Sequence, residues 1–127
     1  DFYGNYADED QTEEAIREIY QTCGYVIDTH TAVAASVYGK YKAETADETK
    51  TVIVSTASPY KFLHAVMTAI DPKYANVEDF DLIGPLSEIS GCPVPRAVSD
   101  IVAAPIRHDT VCEPEQMDQV VCSFLGL

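Results

Sequence analysis

The stretch TVIVSTASPYKFLHAVMTAI, Thr51 to Ile70, decides how the fold is read. Thr51-Val52-Ile53-Val54 is a β-branched run with no polar alternation, which suits a strand buried on both faces, as in a parallel sheet. Ser55-Thr56-Ala57-Ser58 is turn-forming. Ser58 is a good N-cap, and Pro59 fits the first helical position, where its missing N–H costs nothing. Phe62, Leu63, Val66, Met67 and Ile70 then make an apolar stripe, which Asp71-Pro72 stops. The reading is strand, tight turn, helix. In open α/β sheets ligands bind at such a turn, and helix N-termini favour anions. The plainer reading is that these Ser and Thr residues only shape the turn and cap the helix.

The stretch before it reads as two helices. Asp8-Glu9-Asp10-Gln11 forms a capping box, and Ala15, Ile16, Ile19, Tyr20 and Cys23 follow on one face, with Gly24 closing the helix. Tyr25-Val26-Ile27 is an apolar connector. A second helix starts with Asp28 or Thr29 as its N-cap and carries many small residues from Thr31 to Tyr41, with Lys40 and Lys42 in its last turn. Phe2, Tyr3 and Tyr6 are expected to pack down on the domain as an extended lead-in. Beyond Ile70 the pattern predicts a polar connector, a short helix over Pro85–Ile89 closed by Gly91, and another from Pro95 that ends before Pro105. Ile106 to Cys112 is a candidate second strand, and Glu113 and Pro114 start the last helix. The expected fold is therefore α/β: helix-rich, with a minimal, mostly parallel sheet. Two strands make a poor independent sheet, so completion by another part of the protein is expected.

The 127 residues suffice for one domain with one modest core. The net charge is −13, with only 8 Lys and Arg, which argues against a nucleic-acid surface or an anionic membrane as partner. Cys23, Cys92, Cys112 and Cys122 form no CxxC pair, so neither zinc nor a disulfide framework is expected. They are read as free thiols, mostly buried. No apolar run is long enough to span a bilayer. The chain opens at Asp1 without a Met, as a piece of something longer would.

No phosphate loop, GxGxxG, HExxH or GxSxG occurs. His30 reads first as a capping or packing residue, and His64 and His108 as surface or structural ones. Two hydroxyl-bearing turns remain, Asp28–Ala32 and Ser55–Pro59. The residues alone support a small polar or anionic ligand at one of them.

These two turns carry a family resemblance. YVIDTHTAV, Tyr25 to Val33, resembles the "DPHTAV" segment of threonine synthases, and VSTASPYKF, from Val54, resembles their "ATAHPAKF". Ile16 to Tyr20 and Gly24-Tyr25 are similar as well. Thr29 stands where the family segment has proline, and Ser58 where it has histidine. The resemblance implies the C-terminal part of a pyridoxal-phosphate enzyme of the tryptophan-synthase-β-like fold. Such an enzyme converts O-phospho-L-homoserine and water to L-threonine and phosphate. By the resemblance, Thr56 contributes to cofactor binding through a hydroxyl near the pyridine nitrogen, with Ser55 and His30 as further cofactor-site residues. It implies no catalytic residue in this piece. Lys61 is not the lysine that holds the cofactor; that lysine and the phosphate-binding loop fall to a missing N-terminal part. The piece alone is expected to be inactive and cofactor-free, cytoplasmic, and prone to self-association through the face left uncovered. The alternative is a stand-alone module that binds a small anion or regulates a partner.

Overall fold

The computed structural model describes residues 2–127, and six α-helices carry the architecture. They are α1 (Glu9–Cys23), α2 (Thr29–Thr45), α3 (Leu63–Ile70), α4 (Ile83–Ser90), α5 (Arg96–Ala103) and α6 (Met117–Leu125). Short 3₁₀ turns at Pro59–Lys61, Pro72–Tyr74, Asp79–Leu82 and Pro114–Gln116 link them.

The capping box at the start of α1 forms as its residues dictate. The Asp8 carboxylate accepts from the Gln11 amide at 2.9 Å, and the Gln11 side chain accepts from the Asp8 amide at 3.3 Å. Gly24 closes the helix at φ 67°, a left-handed conformation that glycine adopts without penalty, and its N–H donates to Tyr20 O. α1 packs on α2 and α3. Their shared core is Ala15, Ile16, Val26, Ile27, Ala32, Leu63, Val66, Met67 and Ala69, joined by Leu82 and Leu86. The Arg17 guanidinium reaches across to Ala69 O at 3.0 Å, near the C-terminus of α3, where the helix dipole favours a cation. Tyr60 and Ser87 hydroxyls both donate to Cys92 O, at 2.9 and 2.8 Å, tying the loop after α4 to the turn before α3.

The expected α/β fold is overturned: no strand and no sheet occur among the described residues. Thr51–Val54 is extended but unpaired, with Val52 86% and Val54 71% exposed. A run of β-branched residues favours extension, yet a strand exists only when a neighbour takes its N–H and C=O groups. Among the described residues no strand pairs with it. Ile106–Cys112, the other candidate strand, has no regular structure and is exposed except for the half-buried Cys112.

The helix expected to run continuously from Pro59 is instead split. Ser58 caps the 3₁₀ turn, accepting from the Tyr60 amide at 3.3 Å, and Phe62 then leaves the helical region (φ −133°, ψ 44°) before α3 begins. The thiols also differ from expectation. Cys23, Cys92 and Cys122 are exposed and only Cys112 is half-buried; all four are free. Cys23 lies on the apolar side of α1 but in its last turn, beyond the packed part. The aromatic lead-in packs in part. Tyr3 meets the Tyr41 ring edge-on at 5.1 Å and Lys40 lies over Tyr6, whereas Phe2 is fully exposed. No helix among the described residues is long and apolar enough to cross a membrane.

Candidate functional site

The two hydroxyl-bearing turns singled out in the sequence meet in space. Asp28 is the N-cap of α2 and has no exposed side-chain surface. Its two carboxylate oxygens divide the work. Oδ1 accepts from the amides of His30 at 2.9 Å and Thr31 at 3.3 Å, which is the capping function. Oδ2 accepts from the Thr31 hydroxyl and from Ser55 Oγ at 3.4 Å, while Ser55 Oγ lies 3.1 Å from Thr31 Oγ1. A contact between residues 28 and 55 thus pins the Ser55–Ser58 turn to the start of α2.

Burial alone pushes the Asp28 carboxyl up. The Thr31 hydroxyl, the His30 and Thr31 amides and the His30 imidazole outweigh it, and the group sits below the usual carboxylate range. The buried charge is thereby stabilised with no Lys or Arg among its partners.

His30 is 64% exposed, with Nδ1 3.4 Å from Asp28 Oδ1. Its ring packs against Phe62 at 5.0 Å, tilted by 53°. It therefore has a packing contact on one side and an open edge on the other. Thr56 is exposed, and no hydrogen bond of its hydroxyl occurs among the described residues. Lys61 is exposed in the 3₁₀ turn. The remaining histidines stand apart. His64 bonds Ala75 O at 2.9 Å, and His108 lies edge-on to Phe124 at 6.3 Å. No metal-binding group of His, Cys, Asp or Glu occurs among the described residues.

Sequence reasoning found both turns but missed the role of Asp28. Its only signal was a position before Thr-His-Thr, which marks a cap and says nothing of Ser55. The arrangement also bears on the anion-site alternative. The α2 N-terminus already holds the Asp28 carboxylate on its His30 and Thr31 amides, and Ser58 occupies the Tyr60 amide.

An apolar groove of about 770 Å³ lies beside this site, lined by Tyr3, Ala34, Val37, Tyr38, Tyr41 and the Thr51–Val54 run among others.

The sequence comparisons define the class of this helical domain. The family model "Threonine synthase, C-terminal" matches residues 31–121, and the chain belongs to that family. Individual relatives agree with it. Threonine synthase of Schizosaccharomyces pombe is 39% identical over 71 residues, 55% of this chain and 14% of that protein. Human threonine synthase-like 1 is 38% identical over 77 residues, 60% of this chain and 10% of that protein. The mouse threonine synthase-like 1 is 29% identical over 122 residues, 96% of this chain and 15% of its own length. The matched part is thus a small share of each relative, between 10% and 15%.

Proposed function

We propose that this chain is the C-terminal part of a threonine synthase, a pyridoxal-phosphate lyase that forms L-threonine and phosphate from O-phospho-L-homoserine and water. One observation carries the reading to a site. The two motif segments converge through Asp28, Thr31 and Ser55, and the convergence leaves the Thr56 hydroxyl unpaired at the surface. The residues suit one end of the cofactor: a neutral hydroxyl on a turn tied at Ser55 and Ser58. Thr56 would meet the pyridine nitrogen. A neutral hydroxyl there does not enforce a protonated ring, as a carboxylate would. Bound pyridoxal phosphate supplies an electron sink for the reacting carbon of the substrate. This chain has no glycine-rich phosphate loop, and on this reading the phosphate end and the covalent lysine belong to another part of the enzyme.

That other part is also the proposed partner of the groove between α2 and Thr51–Val54. Its exposed valines support this assignment. Without it, the chain is expected to self-associate through the groove. Light scattering that gives a clean monomer at millimolar concentration counts against the assignment.

The central test is Thr56→Val in the full-length enzyme, followed by phosphate release and the cofactor absorption spectrum. A fall in activity of roughly tenfold or more, the weight of one hydrogen bond to the ring, together with a shifted spectrum supports the reading. Unchanged activity and spectrum overturn it. The isolated chain mixed with pyridoxal phosphate is expected to show no band near about 410–430 nm, the rough region of a lysine Schiff base. A band there that Lys61→Ala abolishes would contradict the assignment of the lysine elsewhere.

A further inference from the structure

We propose that Asp28 is a positioning residue for the Thr56 turn, and that the Ser55 hydroxyl serves this anchor rather than the cofactor. The inference rests on the assignment of Thr56 to the ring nitrogen, and it follows from how the carboxylate is used. An N-cap needs only one oxygen, and Oδ1 alone takes both helix amides. Oδ2 is left for hydroxyls, and it gathers two of them, Thr31 from its own helix and Ser55 from 27 residues away.

Asp8 supplies the internal comparison. It too caps a helix through one oxygen, but its partners all lie within its own box and its first turn. It is exposed, whereas Asp28 has no exposed surface. Complete burial of a carboxylate with no lysine or arginine beside it is unfavourable unless hydroxyls and amides satisfy it. Ser55 Oγ adds a contact to Oδ2 from outside the helix, so the carboxylate and the turn hold one another. Ser55 Oγ lies within reach of Asp28 Oδ2 and Thr31 Oγ1, and a hydroxyl has a single proton to give. With that proton committed to the anchor, Thr56 is the turn hydroxyl left to face outward.

The test uses Asp28→Asn, Ser55→Ala and Thr56→Val in the pyridoxal-phosphate-loaded full-length enzyme, with Asp8→Ala as the cap control. Asn keeps a carbonyl oxygen for the α2 amides and places an NH₂ group opposite the two hydroxyls, so it alters the anchor while sparing the cap. Three measurements are compared: the cofactor absorption maximum, the dissociation constant for pyridoxal phosphate, and amide exchange across residues 54–58. Asp28→Asn and Ser55→Ala are each expected to shift the spectrum in the direction of Thr56→Val. Each should weaken cofactor retention roughly tenfold and speed exchange in the turn. The double variant should be no worse than the single ones, because both remove one interaction. Asp8→Ala should lower thermal stability with none of these three changes.

If Thr56→Val shifts the spectrum while Asp28→Asn and Ser55→Ala do not, the positioning inference is overturned and the Thr56 assignment stands. If Thr56→Val has no effect, the cofactor assignment fails, and amide exchange decides the anchor. Faster exchange at 54–58 in Asp28→Asn and Ser55→Ala sustains it, and unchanged exchange removes it. Ser55 is exposed, so its variant remains informative even if Asp28→Asn does not fold.

Discussion

Thr51–Val54 and Leu63–Ile70 are both rich in apolar residues and sit close together in the chain, yet they end in opposite environments. Leu63, Val66, Met67 and Ala69 are buried in the helical core, whereas Val52 and Val54 face solvent. The helix needs only itself for its backbone hydrogen bonds, and its stripe meets α1 within the same chain. The extended run needs a neighbouring strand for every ladder bond, and none lies beside it among the described residues. Hydrophobic pattern reports what a segment is suited to. The presence of a partner decides whether it gets there.

The largest expected effect tests this contrast directly. Met67→Ala removes a side chain with no exposed surface and should destabilise the chain by about 2–5 kcal/mol, read from chemical denaturation. Val54→Ala should stay within about 0.5 kcal/mol of the parent, as an exposed substitution does. A Val54→Ala penalty close to that of Met67→Ala would mean that the extended run is covered in solution. In the full-length enzyme the two penalties should approach each other, because the proposed partner of the groove covers Val54 there.

Much of the helical framework was legible because its signals are local. The Asp8–Gln11 box, Gly24 and Gly91 as left-handed caps, and the Asp71-Pro72 stop all act where the residues stand. The sheet was misread because β-branched composition speaks for extension and is silent on pairing. The 3₁₀ turn before α3 went unseen because Pro59 and Ser58 start either kind of helix equally well. At the site, both turns were found from their hydroxyls and the family segments they resemble. Their union through Asp28 was not, since no local pattern encodes a contact between residues 28 and 55. The thiols were placed inside on the general habit of cysteine, which helix ends and loops override at Cys23 and Cys92.

Asp28 gives the next effect in size and carries a pH signature. Asp28→Asn should cost about 1.5–3 kcal/mol, the scale of hydrogen bonds to a charged acceptor. The folded Asp28 carboxyl lies below its ordinary value, and an aspartate in an unfolded chain titrates at about 3.9. Its stabilisation is therefore fully present above that unfolded value and is lost as pH falls through the folded one. The gap in Tm between parent and variant should be constant above about pH 5 and should close below about pH 4. A gap that widens in acid would contradict the hydrogen-bonded, ionised carboxylate.

Two glycines sharpen the helical side of the comparison with opposite signs. Gly24→Ala forces a side chain into φ 67° and should destabilise by about 1 kcal/mol. Gly39 lies inside α2 with open space where a Cβ would stand, so Gly39→Ala should stabilise by about 0.5–1 kcal/mol. If Gly39→Ala destabilised instead, that face of α2 would have to be in close contact in solution, which would extend the groove's covered surface around the helix.

The smallest effect is local and lies where α2 gives way to the extended run. Asp47 is held to about 2 by the Thr49 hydroxyl, the Tyr41 hydroxyl at 2.6 Å and the Thr49 amide at 2.8 Å. The same contact raises the Tyr41 hydroxyl above its ordinary value, first through the Asp47 hydrogen bond. Tyr41 lines the groove beside Thr51–Val54 and meets Tyr3, so this link bears on how the extended run leaves the helix. Tyr41→Phe keeps the ring and removes one donor. The Asp47 carboxyl carbon, followed by NMR, should then titrate higher, while the Thr49 contacts keep it below the ordinary aspartate range. Global stability should hardly change, because the Tyr41 ring stays in place and the carboxylate keeps its Thr49 hydrogen bonds. A titration unmoved by Tyr41→Phe would show that Thr49 alone holds the carboxylate. The entry of the chain into the extended run would then be fixed by its own backbone turn and not by α2.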